Sequence, residues 1–265
     1  MRIVIKASDV AAVLGLNKFK PTTEVFDDLW KKYSPDNFNS KTKLEEAKEA
    51  LSKSEAAQDV LAAAVSHHAK DSDEAHLKFE EAKIKINSDP KLNRKDKEKV
   101  IEHLKSKVYT SHGTRKEDET AVRTGLDLKR DNNFYTFHIM DLGDKEYVVV
   151  GKIDRIEEQP DGSRILIEIK NRTKGLLRKV YDSERIQVQM YLEMLDLEKA
   201  KLIEQFNSEI NTMEIERDEE YFNEVIHPGL EAFCQSLHSV MVQPSSEANA
   251  NVKKKDLPRM LAHIV

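Results

Sequence analysis

The sequence predicts an α/β protein, a small mixed sheet flanked by helices and interrupted by a long helical insertion. Two apolar runs rich in β-branched residues, 147–154 and 164–170, are separated by the turn chemistry of Gln159-Pro160-Asp161-Gly162-Ser163, which makes a hairpin. Runs at 200–206 and 211–216 have the same character and extend the sheet. From about 41 to 107 the composition shifts to Ala, Glu, Lys and Ser without a strand-like run, which marks long helices.

In chain order, residues 8–33 read as two helices around a turn at Gly15 and Pro21. In the second, Val25, Phe26, Leu29, Trp30 and Tyr33 form one apolar stripe. That spacing assigns Trp30 and Tyr33 to the core in preference to base stacking. Ser34-Pro35-Asp36-Asn37 ends the pattern. Across 41–107, breaks at Asp71-Ser72-Asp73 and Asp89-Pro90 divide the insertion into a helical hairpin and a third helix that runs towards Gly113. The expected organisation is a core of 1–40 and 108–265 carrying an arm of 41–107. The arm is a plain surface insertion, a guide for nucleic acid, a contact for a protein partner or an oligomer contact, and a protein-contact role is the preferred reading. The arm's mixed charge disfavours duplex binding. A helix at 182–195 follows the hairpin and one at 218–241 covers the sheet, while 244–255 reads as a flexible loop before 257–265, which docks back.

Composition narrows the function. A chain of 265 residues, 39% hydrophobic and 34% charged, supports one sizeable core plus solvated helix. Cys234 is the single cysteine, so no internal disulfide can form, and a reducing compartment fits. His67 and His68 are adjacent and point in different directions on a helix, so they are not read as metal ligands. No apolar run approaches the ~20 residues of a membrane span, and a soluble, intracellular protein is expected. The net charge of −5 argues against a generic nucleic-acid coat. Basic residues nevertheless gather after the hairpin: Lys170, Arg172, Lys174, Arg178 and Lys179, with Arg185 further on. That stretch is either a phosphate-contacting surface or a solvated face.

The chemistry lies in the charges at the end of the hairpin. Residues two apart on a strand share a face, so Glu168 and Lys170 project together while Ile165, Ile167 and Ile169 pack on the other side. Asp154 meets them from the neighbouring strand. A carboxylate inside an apolar run needs a metal or an ion pair, so the alternatives are a metal site and a structural Glu168–Lys170 pair. As a metal site, Asp154, Glu168 and the carbonyl of Ile169 offer the hard oxygen donors that suit Mg²⁺ or Mn²⁺, and Lys170 offers a movable cation beside them. This is the donor set for phosphodiester hydrolysis. Gln187 and Tyr191 are i and i+4 on the next helix and share its face.

These residues resemble the restriction-endonuclease-like, PD-(D/E)XK nuclease superfamily, and within it the lambda-exonuclease-like and YqaJ-type viral recombinases. The resemblance extends to residues 5–19, with Ser8 capping a helix before a glycine turn. It includes 112–121, where a glycine precedes a helix bearing Glu117, and Gln187 to Tyr191. It implies a restriction-endonuclease-like core and a Mg²⁺-dependent exonuclease that degrades one strand of duplex DNA from 5′ to 3′. Asp154 and Glu168 would bind metal, Lys170 would be catalytic, and Glu117 would hold a second metal or its water. Gln187 would support the lysine and the substrate, with Tyr191 also on the DNA side. Ser8 would sit near the terminal phosphate. The family's arginine for that phosphate falls at the position of Met1, and Arg2 stands nearest. Also implied are a role in recombination, repair or viral DNA processing, a single-strand-annealing partner, and a trimeric ring. The host would be a bacterium, or a eukaryotic cell whose nucleus a virus uses. Two other readings stand beside this one: a structure-specific endonuclease on the same core, and a noncatalytic scaffold that binds DNA ends.

Overall fold

The computed structural model describes residues 1–242; the stretches 244–255 and 257–265 discussed above lie outside the described residues. Strand β1 (Arg2–Lys6) turns Ile3 and Ile5 into the core. A 3-10 turn (Ala7–Asp9) and the short helix α1 (Val10–Val13) follow, and Gly15 reverses the chain at φ +73°, a conformation that favours glycine. Helix α2 (Thr22–Tyr33) buries the predicted stripe. Trp30 packs edge-on against Phe26 and Phe38, and the Tyr33 hydroxyl accepts the Val4 N–H at 3.0 Å, so both aromatics serve the core.

The insertion forms α3 (Lys43–Ser52), α4 (Glu55–Ser66), α5 (Ser72–Ser88) and the start of α6 (Arg94–Arg123). Each begins on a side chain that accepts a backbone N–H: Thr42, Ser54, Asp71 and Asn93. Leu51, Phe79, Ile86, Leu104 and Val108 centre a hydrophobic cluster of their own. Two expectations are corrected. The first helix of the predicted hairpin is two helices, because Ser54 caps a new start. The predicted helix start after Gly113 does not exist, because Gly113 lies inside α6. A glycine there costs about 1 kcal/mol against alanine. The buried face carrying Val100, Leu104, Val108 and Ala121 holds the helix together across it.

Strands β2 (Leu128–Arg130), β3 (Tyr135–Leu142), β4 (Lys145–Gly151), β5 (Arg155–Glu158) and β6 (Arg164–Asn171) precede α7 (Asp182–Leu195). Then come β7 (Lys199–Phe206), β8 (Glu209–Glu216), the short α8 (Glu219–Tyr221), a π-helical turn (Phe222–Ile226) and α9 (His227–Val242). Two mixed sheets result, ordered β1-β4-β3 and β2-β5-β6-β7-β8. This corrects the predicted hairpin. The 147–154 run does not pair with β6; β4 lies parallel to β1 and antiparallel to β3. The partner of β6 is β5, across the predicted turn, where Gly162 takes φ +86°. Residues 151–153 therefore hand the chain from one sheet to the other, and Asp154 stands at the junction. Leu166 and Leu202 join the main core with α7, whereas Ile167, Ile169 and Ile203 pack against Ala121 of α6. Among the described residues no helix is long and apolar enough to cross a membrane.

Candidate active site at the junction of the two sheets

Strand alternation on β6 sends Ile167 and Ile169 to the α6 side and leaves Glu168 and Lys170 on the opposite face, as the sequence pattern requires. Glu168 is 3% exposed. Its Oε1 accepts a hydrogen bond from Lys170 Nζ at 2.6 Å, and its Oε2 is buried without a hydrogen-bond partner. Asp154 reaches the same place from the junction: its Oδ2 accepts the Ile169 N–H at 2.8 Å. The reason is register. Strand β5 begins at Arg155 opposite Ile167, so Ile169 has no strand partner on that edge and a carboxylate takes its N–H. The N–H and C=O of an extended residue point the same way, so the Ile169 carbonyl also faces this edge.

Helix α7 fixes the lysine from above. Lys170 Nζ donates to Gln187 Oε1 at 3.2 Å, Gln187 Nε2 donates to the Tyr191 hydroxyl at 3.4 Å, and that hydroxyl donates to the Lys152 carbonyl at 3.0 Å. This relay sets which end of the Gln187 amide faces Lys170. Tyr191 lies so close to the chain that a Cβ at residue 151 would collide with its ring and with Ala7, so the junction requires glycine. The same contact sets Ala7 of the 3-10 turn against the junction; the exposed Ser8 follows it in sequence and, against expectation, caps no helix, since neither the turn nor α1 starts on a side-chain cap.

Glu117 of α6 approaches Glu168 and Asp154 from the other side. Burial, and then the Glu168 charge, push the Asp154 carboxyl well above its ordinary range. The same two causes raise Glu117. Burial pulls Lys170 down, but the charge and hydrogen bond of Glu168 outweigh it and hold the ammonium above its usual value. Burial, followed by the Glu168 charge, raises the Tyr191 hydroxyl as well, which keeps it a donor. Glu168 and Asp154 thus share the Lys170 ammonium, while Glu117 faces the Arg155 and Arg130 charges. Arg155 had not been singled out in the sequence. It is buried, donates to the Asp154 carbonyl at 2.7 Å and pairs with Asp118. Its signal was the Asp-Arg pair entering an apolar strand.

The remaining candidates scatter. Arg2 pairs with Glu146 at 3.5 Å, at the end of β1 away from Gly151, and so stands apart from the junction. Arg172 is turned inwards, with Nε 2.7 Å from Glu204 and Nη1 2.6 Å from Glu184, both buried carboxylates, so its guanidinium is committed to the core and not to a phosphate. Lys174, Arg178 and Lys179 are exposed on the irregular connection from β6 to α7. Of these, Arg178 lies 3.5 Å from Glu209 and Lys179 sits over the Tyr181 ring. Arg185 pairs with Asp218 at 2.6 Å.

Among the described residues no three His, Cys, Asp or Glu side chains are grouped as a ready-made metal cage. The donors present are instead two carboxylates and a strand carbonyl, the sparse oxygen set by which Mg²⁺ is held while it keeps waters and substrate phosphate as further ligands. The orphaned Glu168 Oε2 and the surplus of negative charge fit such a cation. A buried acceptor without a partner costs roughly 1–3 kcal/mol, more when charged.

The sequence profile of the PD-(D/E)XK nuclease superfamily matches residues 27–256, and the chain belongs to that superfamily. It is a nuclease of a class that generally depends on a divalent metal. Comparison with curated proteins finds no match. Similar solved structures include an alkaline exonuclease from Laribacter hongkongensis, 16% identical, covering 78% of this chain and 99% of that one, with a TM-score of 0.42. A phage-related exonuclease from Haemophilus somnus is 14% identical, covers 91% and 97%, and has the same TM-score.

Proposed function

We propose that this chain is a Mg²⁺-dependent exonuclease that digests one strand of linear duplex DNA from 5′ to 3′, with Mn²⁺ able to substitute. The observation that carries the reading is the buried, unpartnered Glu168 Oε2 beside Asp154 and the Ile169 carbonyl, with Lys170 two residues away. Asp154, Glu168 and that carbonyl would hold the cation, and Glu117 would hold a second ion or its water. Bound there, the cation supplies charge to the phosphoryl oxygen and acidifies water. Lys170 is held protonated, so it acts as a donor and a charge and not as a base. Two of its three N–H donors point to Glu168 and Gln187, which leaves one for the attacking water or a phosphate oxygen. Gln187 and Tyr191 keep the ammonium in place. The resemblance of the segment carrying Ser8 and of the Gln187 segment to end-dependent enzymes supports an exonuclease over an endonuclease, with Ser8 near the terminal phosphate. Lys174, Arg178 and Lys179 supply the exposed cations for the DNA backbone.

The test is digestion of linear duplex DNA labelled separately at its 5′ and 3′ ends, in Mg²⁺ or EDTA, beside a covalently closed circle. Mg²⁺-dependent loss from the 5′ ends with the circle spared is expected. Nicking of the circle would make it an endonuclease, and inactivity on every substrate would leave a DNA-end scaffold. A single-strand-annealing partner and a trimer belong to the same proposal; a one-chain mass by light scattering at working concentration would remove the ring.

A further inference from the structure

Where α5 begins, α6 passes and β6 ends, the structure encloses a cavity of about 270 Å³. Consecutive strand residues face opposite ways, so Asn171 turns into this cavity while Lys170 turns into the active site. Every side chain lining it is polar or charged, which excludes an apolar ligand. Lys70 comes from the α4–α5 turn, Ser72 is the first residue of α5, His112, Lys116 and Arg123 come from α6, and Asn207 from the β7–β8 turn.

The cations outnumber the acids. Of the two carboxylates at the wall, Asp71 accepts the Glu74 N–H at 2.8 Å to cap α5, and Glu119 is shared between Lys116 and Arg123, each at 2.5 Å. Lys70 is exposed at the rim. The start of α5, a helix of 17 residues, adds the positive end of its peptide dipole. A second observation is independent of these. His112 is 6% exposed and lines the cavity, and neither ring nitrogen has a hydrogen-bond partner among the described residues. Its ring nitrogens are not sealed in the core but open onto the cavity, where the ring N–H is free to meet a ligand.

We propose that this cavity binds a phosphate group, held by Lys70, Arg123 and the ring N–H of His112. Its chemistry fits a phosphate of the DNA backbone and a free phosphate or nucleoside monophosphate equally. The ligand bridges the helical insertion to the end of β6. Three bonds already tie the start of α5 to the strand ends: Ser72 Oγ donates to the Arg172 carbonyl after β6 at 2.6 Å, and at the β7–β8 turn the Ser72 N–H donates to Asn207 Oδ1 at 3.4 Å and Asn207 Nδ2 donates to Asp73 at 3.1 Å. The site lies on the face of β6 opposite Glu168, and it does not depend on the nuclease reading.

The experiment is NMR of the full chain with labelled histidine rings in EDTA, titrated with inorganic phosphate, dAMP and a 5′-phosphorylated oligonucleotide, against chloride at equal ionic strength. A saturable shift of the His112 ring is expected. Lys70→Ala and Arg123→Ala should weaken it at least tenfold, while Asp154→Asn leaves it unchanged. Because Lys70 is exposed, its variant tests the site even if Arg123→Ala fails to fold. A response to phosphate or dAMP assigns a free ligand, and a response to the oligonucleotide alone assigns the DNA backbone. No shift with any of the three, an equal shift with chloride, or a shift that survives Lys70→Ala would overturn the proposal.

Discussion

In the helical insertion each helix starts on a side chain that accepts a backbone N–H, and charged groups such as Lys41 with Glu49 or Arg94 with Glu98 meet at the surface. Around Asp154 the polar groups are buried, Asp154 and Glu168 face one ammonium, and Glu168 Oε2 has no hydrogen-bond partner among the described residues. The insertion follows the rules by which polar groups usually settle and the junction breaks them. Such a corner is costly for the chain alone, and the metal site proposed above would offset that cost.

The largest effect should come from Lys170→Ala, which removes the ammonium bonded to Glu168 and lowers cleavage by at least about 10²–10³-fold in a single-turnover assay. An unchanged rate would detach the chemistry from this site. Arg172→Ala should act on the fold instead. It strands Glu184 and Glu204 and costs about 3–5 kcal/mol in denaturant unfolding. A stable variant whose DNA affinity loses salt dependence would restore Arg172 to the DNA surface.

Asp154→Asn should separate stability from activity. A carboxyl held above its ordinary range binds its proton more tightly in the folded chain than in the unfolded one. Its contribution therefore favours folding at low pH and is lost as pH rises through the raised value. In EDTA at neutral pH the variant should be inactive yet melt higher, by on the order of 1 kcal/mol or about 2–4 °C, and the gain should vanish in acid. A lower melting temperature at neutral pH would contradict the electrostatic account. The smallest effect is expected from Thr42→Ala, which deletes the cap of α3, costs roughly 0.5–2 kcal/mol and leaves cleavage as it was.

The same contrast decides what the sequence made legible. Alternation on β6 placed Glu168 and Lys170 on one face, and helical spacing placed Gln187 and Tyr191 together, because both depend on local periodicity. The partner of β6 differs from the expectation because the run 147–154 has strand character throughout, and nothing local marks the change of sheet after Gly151, where Tyr191, 40 positions away, packs against the chain. Gly113 looked like a helix start, and long-range packing of α6 overrode it. Arg172 sat in a basic run, and nothing local announced Glu204 across the sheet.

The most direct measurement is calorimetric titration of the metal-free chain with Mg²⁺ and Mn²⁺, beside Glu168→Gln and Asp154→Asn. Saturable binding to the wild type, with a raised melting temperature that both variants lose, is the predicted result. Equal binding by all three proteins, or none by the wild type in the presence of DNA, would contradict the assignment of this corner as the metal site.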